Sequence, residues 1–269
     1  MQNEEFILGD NEFKLPVGYI DEEGVLHNTV KLKPMTGRTE EAMDKPDVKK
    51  NGAKVFTELI KGIIVELGSL NFAEKGDKLQ RNIINDLPIV DRDAILLYNS
   101  FVSFDLDEKS LEFEADCSKC GEKNDVQVDL TELDINPLEN PKQREFSFEL
   151  IDGYYDSKGK VHKKVVIKLP TGRLQMSTFP YFQQKKVAEG MTMSILNMLE
   201  KLGETSITRD TVIDLTTRDR KLIYRYIPQT LNLGVDFGVK YNCAYCGAEN
   251  ETSVPLGKLL DGGLPTLEK

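Results

Sequence analysis

Gly18-Tyr-Ile-Asp-Glu-Glu-Gly24-Val-Leu-His27 and Gly153-Tyr-Tyr-Asp-Ser-Lys-Gly159-Lys-Val-His162 align without a gap at an offset of 153 − 18 = 135 residues, and the match runs on through Thr36-Gly37-Arg38 and Thr171-Gly172-Arg173. Self-similarity at this separation marks a duplicated unit. Both histidines of the 269-residue chain fall on one column of the alignment. A second gapless match pairs Arg92-Asp93, Tyr98, Cys117, Cys120-Gly121 and Asn124 with Arg218-Asp219, Tyr224, Cys243, Cys246-Gly247 and Asn250, at an offset of 243 − 117 = 126. The middle of the second copy is therefore 135 − 126 = 9 residues shorter.

Each copy carries the same parts in the same order. Phe13 to Lys33 predicts a β-hairpin around the acidic turn Asp21-Glu22-Glu23-Gly24, with Val25, His27 and Thr29 alternating against Leu26, Val30 and Leu32. Ala53 to Leu67 places Val55, Leu59, Ile63 and Leu67 on one helical face, with Gly68 as its stop; Phe182 to Leu202, with Met191, Ile195, Met198 and Leu202 and then Gly203, fills that place in the second copy. A further helix is expected from Pro88 through Leu96 to Phe101, its counterpart over Thr217 to Tyr226. An alternating strand (Leu111, Phe113, Ala115), the cysteine knuckle and a second strand (Val126, Val128, Leu130) close the unit. The expected fold class is α+β: two tandem pseudo-symmetric repeats, each a β-hairpin, two or more helices and a zinc-knuckle β-hairpin. Two Asn-Pro steps in Asn136-Pro137-Leu-Glu-Asn140-Pro141 break the chain between them. The expected division is a tail at residues 1–12, repeats at 13–135 and 145–260 with a linker at 136–144 between them, and a tail at 261–269. Thr39 to Lys50 reads as exposed loop.

Hydrophobic residues make up 39% of the chain, enough to build cores and too many for a disordered polymer. The charge of −10, from 45 acidic against 35 basic residues, repels phosphate backbones and anionic headgroups, so neither nucleic acid nor membrane is an expected partner. Leu59 to Leu67, the longest apolar candidate, is broken by Lys61 and Glu66 and does not reach the roughly 18 to 20 residues of a membrane helix. Met1-Gln-Asn-Glu-Glu lacks the basic and apolar regions of a secretory signal, so a cytoplasmic, thiol-reducing setting is expected.

In that setting four cysteines in two Cys-x-x-Cys pairs read as metal ligands. One knuckle supplies two thiolates, whereas a structural zinc ion takes four in a tetrahedron. If the copies face each other, Cys117, Cys120, Cys243 and Cys246 converge on a single structural Zn2+ and brace segments 243 − 120 = 123 residues apart. Two separate sites completed by other chains, and redox Cys-x-x-Cys pairs, are the alternatives. Four thiolates leave a metal no open position for water or substrate.

The shared column of His27 and His162, near a hairpin turn, suggests a structural role such as capping backbone groups. The Thr-Gly-Arg steps read as turns with an arginine salt bridge, since no glycine-rich loop or Walker lysine accompanies them. Arg92-Asp93 and Arg218-Asp219 read as local ion pairs at helix starts. No nucleophile, base and orienting group recur together, so no enzymatic activity and no small-molecule substrate are expected.

Leu15-Pro16-Val17-Gly18-Tyr19, Asp21, Gly24, Pro34-Met35-Thr36-Gly37-Arg38-Thr39-Glu40-Glu41, Leu67-Gly68, Leu87, Asp91-Arg92-Asp93, Leu97 and Cys117 to Gly121 form an ordered set across most of residues 13 to 131. That set resembles the T4-type baseplate hub assembly chaperone family of contractile phage tails and phage-tail-like injection systems. The second copy follows it more loosely, with Leu169-Pro170, no Glu-Glu after Arg173, and Thr217-Arg218-Asp219. The resemblance implies a protein that builds, or becomes part of, the baseplate hub by binding other hub or tail proteins, without turnover. The family's usual member carries one such unit, so this chain looks like a fused dimer. It would act in the bacterial or host-cell cytoplasm or stay in the finished particle. A zinc-ribbon nucleic-acid module and a Cys-x-x-Cys redox protein are the rival readings.

Overall fold

A computed structural model describes residues 5–104 and 109–260. The first strands, β1 (Glu12–Ile20) and β2 (Leu26–Leu32), pair antiparallel with Phe13 opposite Val30 and Tyr19 opposite His27. The turn between them is held by the Asp21 carboxylate, which accepts the amides of Glu23 and Val25. The stretch expected as loop is helical instead: α1 (Gly37–Met43) and α2 (Pro46–Lys49), the latter started by a proline at its first position, where no amide is required. Both pack on α3 (Gly52–Ile63), whose N-cap Asn51 accepts the Ala53 amide and whose inner face buries Leu59, Ile60 and Ile63. Each such side chain contributes roughly 1.5–3 kcal/mol by leaving water.

Helix α3 does not reach Leu67. The backbone turns extended at Ile64, and β3 (Ile64–Leu67) pairs with β2, setting Leu67 opposite Val30. The β-branched run Ile63-Ile64-Val65 suits a strand, and a stripe of apolar residues this short has no period of its own to distinguish the two. Beyond Gly68 the chain turns into β4 (Leu70–Asn71), which completes a sheet of order β1-β2-β3-β4, then a 3-10 turn leads to α4 (Asp77–Asp86) and the long α5 (Ile89–Ser103). The hairpin β5 (Ser110–Asp116) and β6 (Lys123–Asp129) carries the first cysteine pair, and β7 (Ile135–Asn136) follows.

The second half opens with β8 (Glu145–Tyr155) and β9 (Val161–Lys168). The single helix expected over Phe182–Leu202 is three elements: the end of α6 (Gly172–Gln183), then α7 (Val187–Met198), then β10 (Leu199–Leu202), which pairs with β9. Lys185 has φ 59, a left-handed kink that no helix continues through. The short α8 (Arg209–Ile213) precedes α9 (Thr217–Arg225), which runs into a π turn at Tyr226–Thr230. Strand β11 (Gly234–Val235) pairs with β7, the hairpin β12 (Gly238–Asn242) and β13 (Glu249–Ser253) carries the second cysteine pair, and α10 (Leu256–Leu260) lies on α5.

Two hydrophobic cores result, and they exchange residues. Val17 lies in the core of β8, β9 and α7, while Val254 and Leu259 lie in the core of β1, α3 and α5. Residues read as tail and linker are tied down as well: Phe6 is buried, Leu138 is buried with its amide on the Pro16 carbonyl, and Asn136 sits in β7. The expected tail at 261–269 lies outside the described residues. A seam joins the halves through main-chain hydrogen bonds, with Ile89 donating to Pro170 and Gly172 to Leu87, and Arg173 reaches Asp86 at 2.8 Å through its second nitrogen.

Candidate metal centre

Each cysteine pair caps a two-stranded hairpin. The Cys117 amide donates to the Glu122 carbonyl and Gly121 returns to the Cys117 carbonyl, both at 2.9 Å; Cys243 with Ala248, and Gly247 with Cys243, repeat this at 2.9 Å. Gly121 (φ 76) and Gly247 (φ 68) take the left-handed conformation that folds the chain back over the sulfurs. The two knuckles meet crosswise. Cys117 Sγ lies 3.7 Å from Cys246 Sγ, Cys120 Sγ lies 3.6 Å from Cys243 Sγ, and all four sulfurs are within 4.8 Å of one another.

Four sulfurs at about 2.3 Å from a tetrahedral zinc stand about 3.8 Å apart. The observed spacings fit that figure, so this donor set is compatible with one structural metal ion, and the expected convergence of Cys117, Cys120, Cys243 and Cys246 is what the chain displays. Electrostatics point the same way. The amides of Cys120 and Lys119 bring the Cys117 thiol down to about 6, and the amides of Cys246 and Tyr245 lower Cys243. The Glu122 amide favours the Cys120 thiolate too, but burial and the adjoining sulfurs push that thiol up to about 12. Crowded thiolates repel, and a divalent cation at their centre removes the conflict.

Two side chains that sequence reading aligned but gave no role lock the knuckles together. Asn250 Oδ1 accepts the Ser118 amide at 2.9 Å and the Ser118 hydroxyl at 2.8 Å, while its Nδ2 stands 3.6 Å from Cys117 Sγ. Asn124 Oδ1 accepts the Ala244 amide at 2.8 Å. Each asparagine thus grips the residue after the first cysteine of the opposite knuckle. The only prior signal was their common column, three residues after the knuckle glycine.

The histidines do not approach the sulfurs as ligands; each completes its own hairpin. His27 Nε2 lies 2.9 Å from Asp21 Oδ2, and His162 Nε2 lies 3.1 Å from Asp156 Oδ2, which holds both carboxyls below the usual range. Their partners are therefore turn aspartates, with the Glu204 amide 3.4 Å from His162 Nδ1.

The aspartates at the starts of α5 and α9 hold β1 and β8. Buried Asp91 accepts the amides of Val17 and Gly18 at 2.8 and 2.7 Å, and buried Asp219 accepts those of Ile151 and Gly153 at 2.7 and 2.8 Å. Tyr98 stacks on Phe13 at 4.4 Å and Tyr226 on Phe148 at 4.0 Å. Asp219 thus makes contacts like those of Asp91, and Tyr226 like those of Tyr98, each pair 219 − 91 = 128 residues apart, whereas the letter match of the sequence pairs Asp93 with Asp219 at 126. Nor do Arg92 and Asp93 form the expected ion pair. Arg92 is buried and donates to the carbonyls of Ile84 and Ala53, and only Arg218 makes a salt bridge, to Asp152 at 2.6 Å. Arg173 forms the turn bridge expected of it, though with Asp86 across the seam.

Fold and site together define an α+β protein whose two cysteine hairpins meet in a four-cysteine cluster. A family model described as T4 bacteriophage base plate protein matches residues 12–260, and the chain belongs to that family. No curated protein and no solved structure matches it. Among the described residues no helix is long and apolar enough to cross a membrane.

Proposed function

We propose that this baseplate-family chain is a non-enzymatic binding factor that builds, or is incorporated into, the baseplate hub of a contractile tail or phage-tail-like injection system. The observation that carries the reading is the family match over residues 12–260. It acts in the cytoplasm where tails are assembled, on other hub or tail proteins. The four cysteines hold zinc, because an all-thiolate tetrahedron suits that ion and leaves it no position for catalysis. The units at 13–135 and 145–260 descend from one ancestral unit. Matched contacts support this: Asp91 and Asp219 on equivalent amides, Tyr98 and Tyr226 on equivalent phenylalanines, His27 and His162 on equivalent aspartates.

Deleting the gene from the phage or injection-system cluster that encodes it is expected to yield tails without baseplates, restored by the wild-type chain. Normal baseplates in the deletion strain would overturn the assignment. Mass spectrometry of purified particles separates a resident component from a factor that departs.

A further inference from the structure

A cavity of about 430 Å3 lies where α3 and α5 meet α6, α7 and α9. Phe56, Phe179, Phe182 and Met198 form apolar walls. Bare backbone lets the rings in: a Cβ on Gly52 would stand 2.6 Å from the Phe179 ring, and one on Gly190 would stand 2.8 Å from the Phe182 ring. The three phenylalanines are only half-buried, so the cavity offers apolar surface that a free-standing protein ordinarily covers.

Its unpartnered polar groups include two acceptors. Asp93 lines the cavity and makes no hydrogen bond or close ion pair among the described residues; the neighbouring Arg92 guanidinium attracts it only at longer range. Gln175 Oε1 is buried there without a partner. The hydroxyls of Thr178 and Ser194 are committed to the carbonyls of Leu174 and Gly190, and Arg92 turns its two terminal nitrogens to Ile84, Ala53 and Thr57, its Nε being buried without a partner. Two open acceptors among aromatic walls, on a chain of charge −10, call for a cationic donor carried by apolar company.

We propose that this cavity receives a segment of a partner protein that presents a lysine or arginine flanked by apolar side chains, the cation meeting Asp93 and Gln175 and its neighbours the phenylalanines. The proposal rests on the reading that the chain acts by binding other proteins. A protein segment fits better than a small amine because the apolar surface extends past the reach of a single cation, from Phe56 of the first half to Phe182 of the second.

The test is selection of a random peptide library on the full-length, metal-loaded chain, compared with Asp93→Asn and with Phe179→Ser. Asp93→Asn keeps the shape and removes only the charge. Enrichment of peptides with a basic residue between apolar ones, bound roughly tenfold to a hundredfold more weakly by Asp93→Asn, is the expected result. Enrichment that ignores Asp93→Asn, or no enrichment on a chain whose circular dichroism is native, would overturn it. So would phenethylammonium binding at Asp93, read by NMR, without any peptide preference, since the occupant would then be a small amine. A failed selection beside a deletion strain that lacks baseplates discards the cavity alone and leaves the assembly reading intact.

Discussion

Asn124 accepts the main-chain amide of Ala244 at 2.8 Å, a contact between residues 120 positions apart that orients the opposite cysteine pair. Outer groups of this kind typically hold a factor of 10 to 100 in metal affinity. Asn124→Ala and Asn250→Ala are each expected to weaken zinc binding by about that factor, measured by competition with a chromophoric chelator. Asn250→Ala should cost more, because it also frees the Ser118 hydroxyl and removes the amide nitrogen near Cys117 Sγ.

Elemental analysis should find one zinc per chain, and Cys120→Ser should lower thermal stability as much as Cys246→Ser, by about 10 °C for a loss of a few kcal/mol. A shared centre fails as a whole whichever side is cut. Two independent sites, or pairs that cycle between dithiol and disulfide, would instead give unequal losses or no metal at all.

Asp91 and Asp93 stand on one turn of α5, and burial pushes both carboxyls up to about 7 from a usual 3.8. A folded-state pKa above the unfolded value means that the folded chain keeps protons the unfolded chain has lost. Stability therefore falls as pH rises from about 4 to about 7 and levels off above. Asp93→Asn should flatten part of that decline and raise stability at pH 8, since no hydrogen bond is lost. Asp91→Asn should destabilise by about 1–3 kcal/mol, because one of two amides loses its acceptor. Urea unfolding from pH 4 to 8 reads both.

The turns after β3 and β10 have no room for a side chain. Gly68 (φ 53) and Gly203 (φ 54) are left-handed, and an added Cβ would stand 2.7 Å from His27 Nδ1 or 2.5 Å from His162 Nδ1. Gly68→Ala and Gly203→Ala should each cost about 1–3 kcal/mol. Pairing Gly68→Ala with His27→Ala should recover the part due to contact and leave the part due to backbone, a non-additivity that a double-mutant cycle in urea measures.

The hairpins, the α5 and α9 helices and the cysteine cluster were legible because periodicity and spacing encode them directly. Val25 to Leu32 alternates, and two Cys-x-x-Cys-Gly steps admit few folds. The strands β3 and β10 were not, because Leu59, Ile63 and Leu67 keep a helical spacing straight through the point where pairing to β2 takes over. The contacts of the helix aspartates were not legible for a different reason. Arg92-Asp93 and Arg218-Asp219 share letters, yet what fixes each helix is the aspartate that meets the amides beside Gly18 or Gly153, and that lies two residues earlier in the first half. Asp93, read as part of a local ion pair, lines a cavity. The linker looked free because Asn-Pro steps announce a break in helix or sheet but say nothing of Leu138, which is buried beside Pro16.

Cys246 stands nearly at the end of 269 residues, and its partner across the cluster is Cys117. During synthesis the first pair of sulfurs emerges long before the second and waits with half a coordination sphere. A polypeptide interrupted between residues 145 and 242 carries every residue of the first half but only one of the two cysteine pairs. If zinc is held as proposed, a full set of four thiolates is expected only in chains that have passed the last knuckle, which elemental analysis of truncated chains checks.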